Sequence, residues 1–246
     1  MIGSRRSALV VALCALTAAI PFRAPRAQNP ETPRDRCTWE GWLPPAAARD
    51  RVRREANLTD TDIVRLQRAS TGASKVEREK AIERLGAAQD QATIALLTNA
   101  LDDKDPIIVD AAVRSLGRIG ATSALHDIER LTVVNNSHVR QGAIWALGQL
   151  QERSALPTLL KASTDTSKHI RDEATWALGL LGDAGATRRL NELAVDNDWH
   201  VRFSAACALW LSGKTDERSL RTLTALKTDS VALVRNVATW VVGQLR

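Results

Sequence analysis

A stretch of ten residues returns at a fixed interval along this chain, and the interval decides the architecture. Gly86, Gly117, Gly148, Gly179 and Trp210 stand 31 residues apart, and Gly243 follows after 33. Around these anchors the text recurs: VRQGAIWALG (139–148), IRDEATWALG (170–179), VRFSAACALW (201–210) and VRNVATWVVG (234–243). Looser copies read EREKAIERLG (77–86) and IVDAAVRSLG (108–117). A period of this length marks stacked supersecondary units, each burying its apolar face on its neighbours rather than around one centre. Such an array works as a shaped surface, so a groove is expected before an active site.

The motif itself reads as a helix. Val139, Ala143, Ala146, Leu147 and Leu150 fall at i, i+4, i+7, i+8 and i+11, which draws one stripe along a 3.6-residue helix. Alanine in that stripe lets helices approach closely, and Gly148 and Gly179 serve the same packing. We name this helix B. A second amphipathic helix, A, precedes it in each unit, as in Ile94-Leu97-Leu101, Leu125-Ile128-Leu131, Leu156-Leu159-Leu160, Leu190-Leu193 and Leu220-Leu223-Leu226. Asp103-Lys-Asp105-Pro106, Asn135-Asn136-Ser137, Asp165-Thr-Ser167, Asp196-Asn-Asp198 and Asp229-Ser230 supply N-caps just ahead of the B helices. One further helix is expected from Asp60 and another over Lys75–Leu85. No segment reads as a strand.

Residues 1–27 have the features of a secretory signal: Arg5 and Arg6, then an uncharged run from Ser7 to Ile20 that is too short to span a bilayer. Export to a periplasmic or extracellular space, in a bacterium, is the expectation. Loss of this segment removes four arginines and no acid, so the net charge of +6 falls to +2. That weakens any nucleic-acid reading built on basicity, and no nucleic-acid partner is expected. Residues 28–57 read as a Pro-rich arm leading into a first helix, 58–90 as an N-terminal capping helix pair, and 91–246 as the repeat array. Within the arm, Cys37-Thr-Trp39-Glu-Gly-Trp42-Leu43 is too apolar for a free linker and is expected to dock, with an end of the array as one place for it; the apolar last helix is expected to be covered by this arm or by another chain. Cys37 and Cys207 either pair in an oxidising compartment, or Cys207 is a small helix residue and Cys37 stays free or bonds another chain.

The motif near D-x-D-x-x-V-R-x-x-A-x-x-A-L-G resembles the HEAT-like repeats of the phycobilisome-lyase type, within the armadillo-like superfamily. The resemblance covers about residues 75–246. It implies an all-α, right-handed α-solenoid of about six antiparallel helix pairs with the B helices on the concave side. It also implies a structural ladder of arginines, Arg140, Arg171, Arg202 and Arg235, with the turn aspartates Asp165, Asp196 and Asp229. Here each of these aspartates precedes an arginine by six residues. The chain departs from the pattern at Val109, which replaces an arginine, and at Trp210, which replaces a glycine.

Two further columns recur. His138, His169 and His200 stand 31 apart, and so do Trp145 and Trp176, with Cys207 and then Trp240 continuing the second column. The expected binding groove is therefore floored by Trp145, Trp176 and Trp240 and edged by His138, His169 and His200, with Gln141, Asp172, Glu173, Trp199 and Phe203 as candidate additions to it. The plainer alternative is that the tryptophans fill space between B helices and the histidines cap them. Asp172 and Glu173, adjacent acids, read as a solvated face. No HExxH, CxxC or GxSxG is present, and no histidine is followed by glutamate, the dipeptide that di-iron hydroxylases of this repeat type use. No catalytic residue, metal ligand or cofactor is assigned. The expected function is a non-catalytic scaffold that binds a protein or peptide. The alternatives are a lyase- or hydroxylase-like subunit holding a small molecule such as a bilin, and an assembly element that dimerises through the apolar C-terminal helix.

Overall fold

The computed structural model describes residues 59–245 apart from 73, 89, 214 and 215. The expected signal over 1–27 and the expected Pro-rich arm over 28–57 therefore lie outside the described residues. Among the described residues twelve α-helices follow one another in pairs. They are α1 (Asp60–Ser70) with α2 (Lys75–Leu85), α3 (Gln91–Asn99) with α4 (Pro106–Ile119), α5 (Leu125–Leu131) with α6 (Ser137–Leu150), α7 (Leu156–Ala162) with α8 (Lys168–Leu181), α9 (Ala184–Leu193) with α10 (Trp199–Leu211), and α11 (Glu217–Leu226) with α12 (Ala232–Gln244). No strand occurs among the described residues. None of these helices is long and apolar enough to cross a membrane.

The ends of the helices follow from local chemistry. Thr59 and Asp62 close a capping box on α1. Asp105, Asn136 and Asp198 cap α4, α6 and α10 through their side chains, and Pro106 opens α4. On α8 and α12 the cap residue makes no side-chain bond. There Asp165 and Asp229, two residues earlier, accept from the N–H groups of Ser167 and Val231. At the other end, the chain leaves α4, α6 and α8 through a left-handed residue, at Gly120, Gln151 and Gly182. Gly213 is left-handed as well, and these four stand one period apart. Glycine suits this conformation because it has no Cβ to clash. Gln151 occupies it with its side chain donating to the Leu180 carbonyl of the next unit, at 2.8 Å.

The B helices form one layer and the A helices the other. Consecutive B helices pack on each other along their lengths, whereas consecutive A helices meet only over short stretches. The closer-spaced layer lies on the inside of a curved stack, so the B layer is the concave side. Glycine permits the close spacing. A Cβ on Gly117 would stand 2.9 Å from the Ala146 Cα, one on Gly148 would stand 2.9 Å from the Ala177 Cα, and one on Gly179 would stand 2.7 Å from the Ala208 Cβ. At the last seam the glycine is replaced by Trp210, which packs edge-on against Trp240 with centroids 4.9 Å apart, and α10 and α12 pack less closely. The core between the layers is aliphatic and continuous from Leu66 to Val242. The C-terminal helix α12 buries Val234, Val237, Ala238, Val241 and Val242. The large exposed apolar side chains of the described residues lie elsewhere: Val64, Val76, Ile107, Val133 and Val195.

Candidate concave binding surface

The repeat register brings the motif residues of successive B helices side by side. Arg171 shows how the units are bolted. Its guanidinium donates to its own turn, to the carbonyls of Asp165 and Thr166, and also grips both carboxylate oxygens of Asp196 in the next unit at 2.9 Å. Arg202 repeats this with the Asp196 and Asn197 carbonyls and with the Asp229 carboxylate, at 2.7 and 3.0 Å. These bonds raise both arginine pKa values. The Arg202 bond outweighs desolvation and holds the Asp229 carboxyl below its usual range. The spacing of six residues thus connects each arginine to a backbone carbonyl. The carboxylate partner is the aspartate 25 or 27 residues later, in the following unit. The ladder is incomplete. Arg140 bonds the Val134 and Asn135 carbonyls, but its buried Nε has no hydrogen-bond partner, and no ion pair joins it to Asp165. Arg235 bonds the Asp229 and Ser230 carbonyls in the last unit.

The histidine column lies at the rim. His138, His169 and His200 are each the second residue of their B helix, and all three are exposed. The His200 Nδ1 is 2.9 Å from the Asp198 carboxylate and its ring stacks on Trp199, centroids 3.6 Å apart. Desolvation pushes the Asp198 carboxyl up, but bonds from the His200 backbone and ring and from Lys168 outweigh it and hold it at about 2. Trp199 and Phe203 are half-buried on the same helix.

The tryptophan column divides. Trp145 on α6 is half-buried and lies under the Arg114 guanidinium, 5.8 Å from the ring centroid, while Trp176 on α8 is only 6% exposed. Trp240 on α12 is half-buried against Trp210. Cys207, which continues the column on α10, is fully buried and disulfide-bonded. The chain's other cysteines, Cys14 and Cys37, lie outside the described residues.

Asp172 and Glu173 correct the sequence reading, because they do not form a solvated face. Glu173 is 9% exposed, and its carboxylate accepts from Gln141 Nε2 on α6 at 2.9 Å. Burial pushes its carboxyl up to about 7; the Gln141 bond opposes the shift and the neighbouring Asp172 adds to it. Asp172 is half-buried and accepts from the Ser204 hydroxyl of α10 at 2.5 Å. Burial raises its pKa too, against that bond. Asp110 on α4 pairs with Arg114 at 3.0 Å and lies directly over Gly142, where a Cβ would collide with its carboxylate. Carboxylates and tryptophans are thus interleaved along the middle of the B layer, a feature that periodicity alone did not show.

Among the described residues no group of three or more His, Cys, Asp and Glu side chains is placed to hold a metal ion. A shallow cleft elsewhere, between α9 and α11, is lined by Asn191, Arg202, Arg221 and Asp229. Its best-formed charged groups, Arg202 and Asp229, already satisfy each other.

Comparison with known proteins agrees with this architecture. No curated protein matches the chain in sequence. Among solved structures, a designed armadillo repeat protein in complex with the peptide (KR)4 superposes with a TM-score of 0.52. It is 20% identical, and the match covers 80% of this chain and 98% of that one. The complex of CpcE and CpcF of phycocyanin lyase from Nostoc sp. PCC7120 superposes with a TM-score of 0.57 at 18% identity, covering 91% of this chain and 81% of that one. Likeness at this level of identity carries the fold. The family model for HEAT repeats matches residues 64–135 and again 128–210, more than half of the sequence. With its paired helices, its 31-residue period and its armadillo-type neighbours, the chain belongs to the HEAT repeat family.

Proposed function

We propose that this protein is an exported, non-catalytic scaffold that binds an extended peptide or protein segment on its concave B-helix surface. The observation that carries the reading is the alternation of the half-buried Asp110, Trp145, Asp172 and Trp240 on the B helices α4, α6, α8 and α12, with the buried Trp176 and Glu173 packed among them. Aromatic side chains provide contact area at low entropic cost, and carboxylates held by neighbouring polar groups select for cationic partners. Units about 10 Å apart match roughly three residues of extended chain at about 3.3 Å each, so a linear ligand meets equivalent pockets at regular steps. The structurally similar designed protein bound to (KR)4 supports this choice of ligand. The disulfide at Cys207 and the signal-like residues 1–27 support an oxidising compartment.

The test is a displayed random-peptide library panned against the purified chain. It is run with and without a thiol reductant, because Cys207, which continues the tryptophan column, is disulfide-bonded. The expected result is enrichment of sequences that combine Lys or Arg with an aromatic residue. Their binding should be lost in Trp145→Ala and kept in Val195→Ala, a change at an exposed turn residue. No enrichment in either condition, or binding indifferent to Trp145→Ala, rejects the concave-surface reading.

A further inference from the structure

The disulfide at Cys207 identifies an occupant for this surface. We infer that the chain's own N-terminal arm, residues 34–43, lies on the concave B layer as an intramolecular ligand, held there by a disulfide between Cys37 and Cys207. The inference rests on the reading of the concave surface as a peptide site and adds what fills it.

Four observations converge. First, Cys207 is disulfide-bonded and occupies the tryptophan column on the inner layer, between Trp176 of α8 and Trp240 of α12. Its partner belongs to the N-terminal region, because the other cysteines are Cys14 and Cys37. Cys14 falls inside the uncharged run from Ser7 to Ile20, within the signal-like segment that the proposed export would remove, and this leaves Cys37. Second, the tether is long enough. Residues 38–59 separate Cys37 from α1, and even with 46–57 helical they reach about 50 Å, at roughly 1.5 Å per helical and 3.3 Å per extended residue. The distance from the first B helix to α10 is four steps of about 10 Å. Third, the arm has the composition that the surface selects. Trp39, Trp42 and Leu43 follow Cys37 within six residues, and Arg34 and Arg36 precede it on either side of Asp35. Fourth, the matching acid is near the anchor. Asp172 is bonded to Ser204, one helical turn before Cys207, and Glu173 is beside it. An arginine within three residues of Cys37 reaches that pair.

The bond forms when two thiols reduce an external disulfide. Cys37 and Cys207 each lose a proton, one S–S bond forms between them, and the oxidant leaves as two thiols. A thiol reductant reverses the step and leaves the arm attached only by its backbone. The arm then competes with other ligands at an effective concentration on the order of mM and no longer blocks them outright.

Two measurements test this on the full chain isolated from an oxidising compartment. In the first, unreduced tryptic digestion and mass spectrometry are expected to yield residues 37–49 joined to 203–214. Free thiols at both positions, or a disulfide-linked dimer, overturn the inference. In the second, the full-length Cys37→Ser variant receives a synthetic 28–45 peptide that also carries serine at 37 and a photoreactive group at 39. Crosslinks on α8, α10 or α12 support groove occupancy, and crosslinks on A helices, or none, overturn it. A peptide selected from the library is expected to bind at least about tenfold more tightly after reduction, as it does to Cys37→Ser without reductant. A peptide that binds equally before and after reduction leaves the scaffold reading standing and removes the arm from the groove. A library with no winners under either condition removes the scaffold reading itself.

Discussion

Alanine at position 179 and alanine at position 243 should move stability in opposite directions, although both replace a glycine of the same motif. A Cβ on Gly179 would stand 2.7 Å from the Ala208 Cβ, 2.9 Å from its Cα and 3.2 Å from its carbonyl oxygen. Carbon atoms settle at about 3.5–4.0 Å, so the seam between α8 and α10 must open by about 1 Å. Overpacking of this kind costs about 1–3 kcal/mol. Two of the three contacts are backbone atoms that no rotamer change relieves, which places the cost toward the upper end. Alanine returns up to about 1 kcal/mol of helix propensity. The net effect is a loss of about 2 kcal/mol, or about 4–8 °C in melting temperature for a chain of this size. Nothing lies within 4 Å of the corresponding position on Gly243. There only the propensity term acts, reduced by the nearby helix end, and the melt should rise by a degree or so. Thermal and urea unfolding followed by far-UV circular dichroism measures both. A Gly179→Ala protein that melts at or above the wild type would remove close helix approach as the reason for the glycine column.

Other changes follow from the same contacts. Arg202→Ala should cost about 2 kcal/mol, since it breaks a two-point bond to a nearly buried Asp229, and Arg140→Ala should cost less because its rung lacks the carboxylate; urea midpoints rank them. Trp176→Ala should lose about 3–5 kcal/mol and Trp145→Ala clearly less, following their burial, and equal losses in thermal melts would contradict that difference. Glu173 binds its proton more tightly in the fold than in the unfolded chain, so the native state carries the extra proton between about pH 4.5 and pH 7. Its contribution to stability is therefore complete below the unfolded value and is lost as pH rises through about 7. Glu173→Gln should match the wild type near pH 4 and exceed it by up to about 3 kcal/mol at pH 8; a difference that does not change with pH would refute the assignment.

Much of the fold is legible in the sequence because the period and the apolar stripe report the same packing. Lys75–Leu85 is a helix with the expected bounds, and Asp105-Pro106 starts α4 as its residue types require. The site is less legible. Asp172 and Glu173 look solvated beside an apolar stripe, and only the neighbouring units turn them inward. Their partners carry a faint signal, since Gln141 to Glu173 and Asp172 to Ser204 both span 32 residues, one period plus one. The arginine ladder shows the same limit. A spacing of six within a unit is visible, but the bond that matters joins one unit to the next. The left-handed column at Gly120, Gln151, Gly182 and Gly213 stayed hidden because glutamine interrupts it.

The uneven ladder has a consequence for how the array assembles. Both seams between α8 and α12 are bolted by a two-point arginine–aspartate bond. The seam at Arg78 and Asp103 is held at 3.6 Å, the next has valine at position 109, and the one after lacks its rung. In a one-dimensional chain of units, order spreads from the strongest interface. The C-terminal three pairs should therefore act as the folding nucleus and the N-terminal three as the growing end. Amide exchange would show this as protection that rises from α1 and α2, which open first, to a maximum at α8 and α10, which open last.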